Sequence, residues 1–322
     1  MTPRAHLLRT LCACCALLCL PGTGVGGEAE NLPPYRIADD ISGSLVAVGS
    51  DTMLELMASW SEGFRAQYPA VTITLDEKGS NTAPPALIDA RAQLAPMSRA
   101  MKPEEIAAFV ARFGYPPTEL VLAIDGLAIF VHRDNPLAGV TLAQLGQLFA
   151  SPAAPGAVPL GRWRELGVRD RGDAAIALYG RNQFSGTYTF FRQHVLHGAD
   201  YTPLLHELPS SSALVTCVAV DPQAIAYCGL GYANSGVRIV PLGVREGAYF
   251  PPSLANCLDG SYPIARRLYL YINRPPTGTL PPAVREFVRF ALSKAGQELV
   301  EMGGFYSVPA DLASTQLRLL TP

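Results

Sequence analysis

The sequence predicts an α/β fold divided into two lobes. The chain has 322 residues, of which 49% are hydrophobic and 16% charged. It can therefore bury a sizeable core, and it exceeds the roughly 100–200 residues of one typical domain. Buried strands alternate with amphipathic helices, a pattern typical of parallel sheets covered by helices. Three of the strands run through a polar turn directly into a helix, and ligands bind at such strand ends in α/β proteins.

The N-terminal segment has the order of a secretory signal peptide. Basic residues precede an apolar run from Leu11 to Leu20, and small residues begin at Gly22. The run is shorter than the ~20 residues of a membrane-spanning helix. We therefore expect residues 1–27 to be a signal peptide and the protein to be periplasmic or otherwise exported. The cysteines in this segment keep a lipid anchor open as an alternative.

Two strand-turn-helix units are predicted in the first part of the chain. Each combines a buried or β-branched strand, a polar turn and a helix with apolar residues near helical spacing. The first unit consists of Gly43–Val48, 49–52 and Thr52–Tyr68, and the second of Val71–Leu75, 78–82 and Pro84–Arg91. Pro69 ends the first helix, because proline lacks the N–H that a helix interior needs.

A third unit lies in the middle of the chain, where a strand over Ala175–Tyr179 leads through the turn 180–187 into a helix over Tyr188–Leu196. The remaining predicted strands are Leu120–His132, Ala224–Tyr227 and Leu268–Ile272. The remaining predicted helices are Pro103–Phe113, Thr141–Phe149 and Pro282–Met302.

The turns of the three units carry hydroxyls and backbone N–H groups at helix N-termini, where the helix dipole favours an anion. In the third turn, Gly186 lets a ligand approach the backbone between Ser185 and Thr187. Arg181 supplies a planar guanidinium that suits an oxyanion, although a surface ion pair is the alternative. A single serine such as Ser50 is more simply explained as a helix cap. The repetition of such turns is what indicates an anion site.

Several segments spread over most of the mature chain form a recognisable set. They are Gly49–Met53, Ala123–Ala128, Asp134–Leu137, Tyr179–Arg181, Ser185–Phe191, Asp221–Tyr227, Gly229–Tyr232 and Tyr262–Tyr269. In these segments the sequence resembles the phosphate-binding receptors of phosphate-specific ABC importers. The resemblance implies a two-lobed periplasmic-binding-protein type II fold. In that fold each lobe is a mixed sheet flanked by helices, and two crossover strands join the lobes.

The resemblance also implies lobe boundaries and ligand contacts. Lobe 1 is expected to be discontinuous, with residues 37–126 and 263–322, and lobe 2 to comprise residues 127–262. Phosphate is expected to bind in the cleft between them. The expected ligand-binding residues are Ser50, Asp51, Thr52, Ser80, Ser98, Arg99, Arg181, Ser185, Gly186 and Thr187.

One position departs from the family pattern. Well-studied members have an aspartate after a serine at the third contact of the first lobe, where its carboxylate accepts the proton of hydrogen phosphate and rejects sulfate. This chain has Ser98 followed by Arg99, so a donor replaces the acceptor and the discrimination is weakened. Arg99 is expected either to bind a tetrahedral oxyanion or to pair with Asp51. Phosphate is the expected ligand, with sulfate and arsenate as alternatives.

Other classes of function have less support. A formal net charge of −2 gives no basic face for nucleic acid. The motifs of P-loop, zinc-protease and nucleophile-elbow enzymes are absent from the sequence, so no catalytic residue, metal or cofactor is predicted. A phosphatase that hydrolyses phosphate esters and a surface-adhesion protein are the alternatives. The expected partners are inorganic phosphate and the transmembrane subunits of an ABC permease, and the protein is expected to be a monomer.

Cysteines and histidines of the mature chain give weaker signals. Cys217, Cys228 and Cys257 remain after export, which allows one disulfide at most and indicates no pairing. His194 and His197 lie on one predicted helix, and we expect them to face solvent rather than bind a metal, because no other ligand residues cluster with them.

Overall fold

A computed structural model describes residues 28–152 and 160–320. The first elements are β1 (Gly43–Val48), α1 (Leu54–Gln67), β2 (Val71–Asp76), α2 (Ala83–Ile88), β3 (Ala95–Met97), α3 (Pro103–Phe113) and β4 (Thr118–Gly126). The middle elements are β5 (Ala128–His132), β6 (Val140–Thr141), α4 (Leu142–Phe149), β7 (Ala177–Arg181), α5 (Gly186–His194), β8 (His206–Leu208), α6 (Ser211–Val220), β9 (Ala224–Cys228), β10 (Val237–Val240), β11 (Leu242–Arg245), β12 (Ala248–Phe250) and α7 (Leu254–Asp259). The last are β13 (Ala265–Ile272), α8 (Pro282–Ala291), α9 (Lys294–Met302) and α10 (Ala310–Arg318). The expected signal peptide and lipid anchor fall in residues 1–27, outside the described residues.

The strands from the two ends of the chain lie side by side. β1 and β2 pair in parallel, and β13 pairs antiparallel with both β3 and β4. A parallel bridge between Ala47 and Leu94 joins the two groups, so the strands follow in the order β2, β1, β3, β13, β4. The middle of the chain forms another sheet, in the order β10, β5, β9, β7, β8.

The prediction of parallel sheets is right for part of this framework. β7 is parallel to β8 and β9, whereas β5 is antiparallel to β9 and β10. β13 is antiparallel to β4 because the chain leaves the first sheet along β4 and returns along β13. The α/β class is confirmed, and the sheets are mixed rather than parallel.

Apolar side chains form separate cores against the two sheets. The largest cluster draws on residues 32–123 and 268–320 and contains the fully buried Trp60. Another cluster draws on residues 127–264 and contains the fully buried Trp163. The division between the clusters lies close to the expected lobe boundaries, which stay a prediction.

Two predicted elements are divided in the structure. The predicted strand Leu120–His132 is broken at Leu127, whose N–H donates to the carbonyl of Ile264 at 3.2 Å. The part before the break pairs with β13 and the part after it with β9 and β10, because an apolar run indicates burial but not the sheet that each end joins. The predicted helix Pro282–Met302 is divided because the side chain of Ser293 caps α9 by accepting a backbone N–H.

Other expectations concern single residues and membrane spans. No helix of residues 28–152 and 160–320 is long and apolar enough to cross a bilayer. Cys217, Cys228 and Cys257 carry free thiols in the described part of the chain. His194 and His197 are both exposed, as expected.

Candidate functional site

The three polar turns of the sequence analysis follow β1, β2 and β7. Short 3-10 turns, Asp51–Met53 and Ser80–Thr82, lead from β1 into α1 and from β2 into α2. After β7, the side chain of Ser185 caps α5 by accepting the N–H of Thr187 at 3.1 Å. The polar residues of these turns and of the segment after β3 are buried, namely Ser50, Asp51, Thr52, Ser80, Ser98, Arg99, Arg181, Ser185 and Thr187.

Hydroxyl groups from these turns are in direct contact. Thr52 Oγ1 lies 2.9 Å from Thr187 Oγ1. Ser80 Oγ lies 3.1 Å from Ser98 Oγ and accepts the backbone N–H of Ser98 at 3.0 Å. Gly186 completes the group, because a Cβ atom there would lie 2.3 Å from Ser80 Oγ and 2.6 Å from Ser98 Oγ. The structure thus brings these residues, which are far apart in sequence, to one place, which we call the hydroxyl cluster.

The backbone closes tightly beside the hydroxyl cluster. The N–H of Asn81 donates to the carbonyl of Phe184 at 3.1 Å, and its side-chain amide donates to the carbonyl of Gln183 at 2.7 Å. Gly79 has a φ of 143°, and a Cβ atom there would lie 2.2 Å from the Phe184 oxygen. This approach requires glycine, because any side chain would collide with the facing backbone. The turns after β2 and β7 therefore face each other in a closed arrangement.

Arg181 is fully buried and pairs with Asp51. Its Nη1 donates to Asp51 Oδ2 at 2.6 Å and to Ser211 Oγ at 2.7 Å, and its Nη2 donates to the carbonyl of Pro209 at 2.8 Å. Asp51 Oδ2 also accepts the N–H of Ser211 at 3.0 Å. The alternative of a surface ion pair is wrong, because the two side chains are 0% and 7% exposed. Ser211 was not selected from the sequence, where the serine run 210–212 was its only signal.

Arg266 and Asp125 were not predicted to belong to the site, although both lie in segments of the family resemblance. They face each other across β13 and β4, and Arg266 Nε donates to Asp125 Oδ2 at 2.8 Å. Arg266 Nη1 donates to Thr187 Oγ1 at 3.0 Å and to the carbonyl of Ser98 at 3.2 Å. Because Thr187 accepts from Arg266, its own hydrogen is free to bind Thr52 or a ligand.

The guanidinium of Arg99 is held by other neighbours. It donates to both carboxylate oxygens of Glu105, at 2.6 and 2.8 Å, to the carbonyl of Ala100 at 2.8 Å and to Asn81 Oδ1 at 3.1 Å. The alternative in which Arg99 pairs with Asp51 is wrong, because Arg99 pairs with Glu105 and Asp51 pairs with Arg181. A direct contact between Arg99 and a ligand stays a prediction, and every nitrogen of the guanidinium already donates to protein.

Two buried polar atoms at this place lack a hydrogen-bond partner among the described residues. They are Ser50 Oγ and Arg266 Nη2, which lies 2.7 Å from Asp125 Oδ2 without hydrogen-bond geometry. An unsatisfied buried group costs about 1–3 kcal/mol, so an oxyanion that accepted from these atoms would gain their hydrogen bonds. Since Asp51 and Asp125 balance the charges of Arg181 and Arg266, hydroxyls and helix N-termini supply much of the attraction for an anion.

Glu77 is a further carboxyl group near the hydroxyl cluster. It follows β2, and both of its carboxylate oxygens are buried without a hydrogen-bond partner among the described residues. Burial, together with the charges of Asp51 and Asp76, raises the pKa of Glu77 well above its usual value. Glu77 therefore stays protonated to a higher pH than an exposed glutamate does.

Known proteins resemble this chain over most of its length. Residues 36–295 match the PBP superfamily domain. The chain is 40% identical to the phosphate-binding protein PstS of Pseudomonas aeruginosa over 314 residues, which cover 95% of this chain and 97% of that protein. It is 26% identical to protein SphX of Synechococcus elongatus over 290 residues, which cover 89% of this chain and 84% of that protein.

A solved structure shares the same architecture. A protein described as a phosphate ABC transporter substrate-binding protein from Clostridium perfringens, with bound phosphate, matches with a TM-score of 0.70 and 25% identity. The match covers 83% of this chain and 100% of that one. The likeness confirms the predicted two-lobed α/β fold. The chain therefore belongs to the PBP superfamily and, within it, to the family of the phosphate-binding protein PstS.

Proposed function

We propose that this protein is an exported binding protein that captures inorganic phosphate between its lobes and delivers it to an ABC importer. The observation that carries the proposal is the buried hydroxyl cluster, where helix N-termini from separate parts of the chain meet. The PstS relative and the Clostridium perfringens protein support it, since both names refer to phosphate and the structure of the second contains bound phosphate. The lobes that we propose are residues 37–126 with 263–322, and residues 127–262.

The proposed ligand contacts follow from the same geometry. At the start of α5, the first N–H groups have no partner within the helix, and the helix dipole favours negative charge there. Hydroxyls and the arginines complete the set of donors. The residues that we propose to bind phosphate are Ser50, Asp51, Thr52, Ser80, Ser98, Arg181, Ser185, Gly186 and Thr187, with Arg266 added. Arg99 then acts indirectly, by holding Asn81 in place at 3.1 Å.

Asp51 supplies a means to distinguish phosphate from sulfate. Its Oδ2 atom accepts hydrogen bonds from Arg181 and Ser211, and these bonds hold the carboxylate in place. Hydrogen phosphate can donate its proton to the other carboxylate oxygen, whereas sulfate at neutral pH has no proton to donate and would place two acceptors in opposition. Arsenate, which is also protonated near neutral pH, would be accepted. Asp51 thus replaces the acceptor that is missing at Arg99.

Export and delivery complete the proposal. Residues 1–27 act as the signal peptide, and the mature chain works outside the cytoplasmic membrane as a monomer. Closure of the lobes on phosphate presents both of them to the transmembrane subunits of a permease. Binding and release need no catalytic residue, and we propose no enzymatic activity.

Calorimetric titration tests this function. The purified mature protein, freed of phosphate, is titrated with phosphate, arsenate and sulfate, and the hydrolysis of 4-nitrophenyl phosphate is measured alongside. We expect phosphate and arsenate to bind and sulfate to bind at least about tenfold more weakly, a difference of ~1.4 kcal/mol. Asp51→Asn should narrow that difference, and Asp39→Asn, at an exposed carboxylate, should preserve it. Equal affinities for sulfate and phosphate, or hydrolysis of the ester, would contradict the proposal.

A further inference from the structure

A cavity of about 610 Å³ lies beside the hydroxyl cluster and has a different chemistry. It is bordered by β4 and β13, by the segment that precedes α3, and by α5, α7 and α10. The residues that line it on these elements include Ile124, Arg267, Lys102, Phe190, Leu258 and Leu312. Its volume falls within the range of roughly 300–1,000 Å³ that is usual for small-molecule sites.

Several of the residues that line the cavity are apolar. Met101, Ile124, Phe190, Leu258 and Leu312 line it together with the thiol of Cys257. Burial raises the pKa of the Cys257 thiol to about 12, so at neutral pH it is a protonated and weakly nucleophilic part of the wall. This wall can bury an aromatic ring or a branched hydrocarbon, with a gain of roughly 25 cal/mol for each Å² of apolar surface removed from water.

Basic residues line the cavity beside the apolar ones. Arg99, Lys102, Arg266 and Arg267 line it, and none of its lining residues is Asp or Glu. Arg99 and Arg266 are balanced by the buried carboxylates of Glu105 and Asp125, but neither Lys102 nor Arg267 forms an ion pair among the described residues. The excess positive charge therefore comes from these two side chains.

Arg266 is not a free cation of this cavity. Its side chain is 1% exposed, and its Nη2 lies 2.7 Å from Asp125 Oδ2. The charge of an anionic group in the cavity would therefore be balanced by Lys102 and Arg267. Inorganic phosphate would leave the apolar wall unused, so the cavity suits a larger ligand.

We propose that this cavity is a second ligand site that takes an amphipathic organic anion, namely a small molecule with an aromatic or branched apolar part and one carboxylate or similar acidic group. The site does not rest on the proposed capture of phosphate, because the serines, threonines and glycine of the hydroxyl cluster do not line it; Arg266 borders both places. The apolar part packs on Phe190 and Leu258, and the acidic group faces Lys102 and Arg267.

The test is calorimetric titration of the mature protein with 2-naphthoate, an aromatic carboxylate that is not tetrahedral, in the presence of saturating inorganic phosphate. We expect one site per chain. Leu258→Asp should weaken binding by about tenfold or more, because Leu258 lines the cavity and is 52% exposed, so that the change adds a negative charge without disturbing a core. Its matched control is Leu204→Asp, at a leucine that is 66% exposed outside the cavity and should leave the affinity within about twofold.

Removal of the basic charges gives an independent arm. The double variant Lys102→Gln with Arg267→Gln should weaken 2-naphthoate binding by about tenfold, whereas Arg65→Gln with Arg169→Gln, at exposed arginines elsewhere, should not. Equal affinities of Leu258→Asp and Leu204→Asp would overturn the proposal. The proposal would also be overturned if each phosphate that binds displaced one molecule of 2-naphthoate, because both anions would then occupy a single site. A chain that fails to bind phosphate but binds 2-naphthoate would contradict the proposed function alone.

Discussion

Replacement of Gly186 by alanine is the sharpest test of the hydroxyl cluster. The added Cβ atom would lie 2.3 Å from Ser80 Oγ, 2.6 Å from Ser98 Oγ and 2.7 Å from Ser80 Cβ, where ordinary contacts are 3.4–4 Å. Rotation of the serine hydroxyl cannot relieve the collision, because the Cβ atom of Ser80 is also too close. The start of α5 must therefore move away from the first lobe by about 1 Å, the difference between these contacts and a normal one.

The size of the effect follows from the hydrogen bonds that such a movement breaks. The 2.9 Å contact between Thr52 and Thr187 would lengthen to nearly 4 Å, and any anion held by both lobes would lose contacts to one of them. Two hydrogen bonds to a charged ligand contribute about 3 kcal/mol or more together. We therefore expect Gly186→Ala to weaken phosphate binding by roughly 100-fold or more.

Calorimetric titration with phosphate measures the loss, and thermal unfolding reports the stability of the same variants. Gly186 is the first residue of α5 and its φ is not in the left-handed region, so alanine suits the local backbone and the fold should persist. Gly146→Ala is the matched control, because a Cβ atom there would have no contact shorter than 3.5 Å. Affinity of Gly186→Ala within about threefold of the unmodified protein would refute the assignment of the anion to this cluster.

Other predictions concern individual side chains. Arg181→Ala should weaken phosphate binding by about tenfold or more, whereas Arg99→Gln should change it by less than about threefold, since that guanidinium is bound to Glu105 and Asn81; calorimetry compares them directly. Thr187→Val keeps the shape and removes a hydroxyl that touches Thr52 and Arg266, so affinity should fall by about tenfold in the same assay. Glu77 should make the free energy of unfolding depend on pH. The stability that Glu77 contributes is fully present below about pH 4.5 and is lost as the pH rises through its raised folded pKa. In urea unfolding, Glu77→Gln should therefore be more stable than the unmodified protein at pH 8 but not at pH 4.5. If the difference in the free energy of unfolding between the two proteins stayed the same across this pH range, the raised pKa of Glu77 would be refuted.

Local patterns in the sequence predicted the parts of the fold that depend on neighbouring residues. The strand Gly43–Val48 and the helix Pro103–Phe113 have the predicted bounds, because alternation of apolar residues, Pro and Gly act over a few positions. The predicted strand Leu120–His132 is wrong as one element for a different reason. Its residues are apolar throughout, and its division between two sheets depends on strands that come much later in the chain.

Local patterns likewise predicted only part of the candidate site. Helix N-termini with hydroxyls can be recognised from the sequence, so Ser80, Gly186 and Thr187 were predicted to lie together. The pairing of Asp51 with Arg181 could not be predicted, because these residues are 130 positions apart. The partner of Arg99 was missed for another reason, since Glu105 lies only six residues further on but was interpreted as an acidic residue that stabilises the start of a helix.

The largest hydrophobic core combines residues from both ends of the chain, 32–123 and 268–320. This core can therefore form only after the C-terminal segment has been synthesised. While the ribosome is still synthesising the middle of the chain, β1, β2 and α1 have no α8 or α9 to cover them, so this part stays incomplete until the last helices appear. The core of residues 127–264 does not depend on α8 and α9, because all of its residues precede them in the chain. Contacts between distant segments also form slowly. A nascent chain that cannot finish half of its structure before release remains unfolded for longer, which would favour the export that we propose.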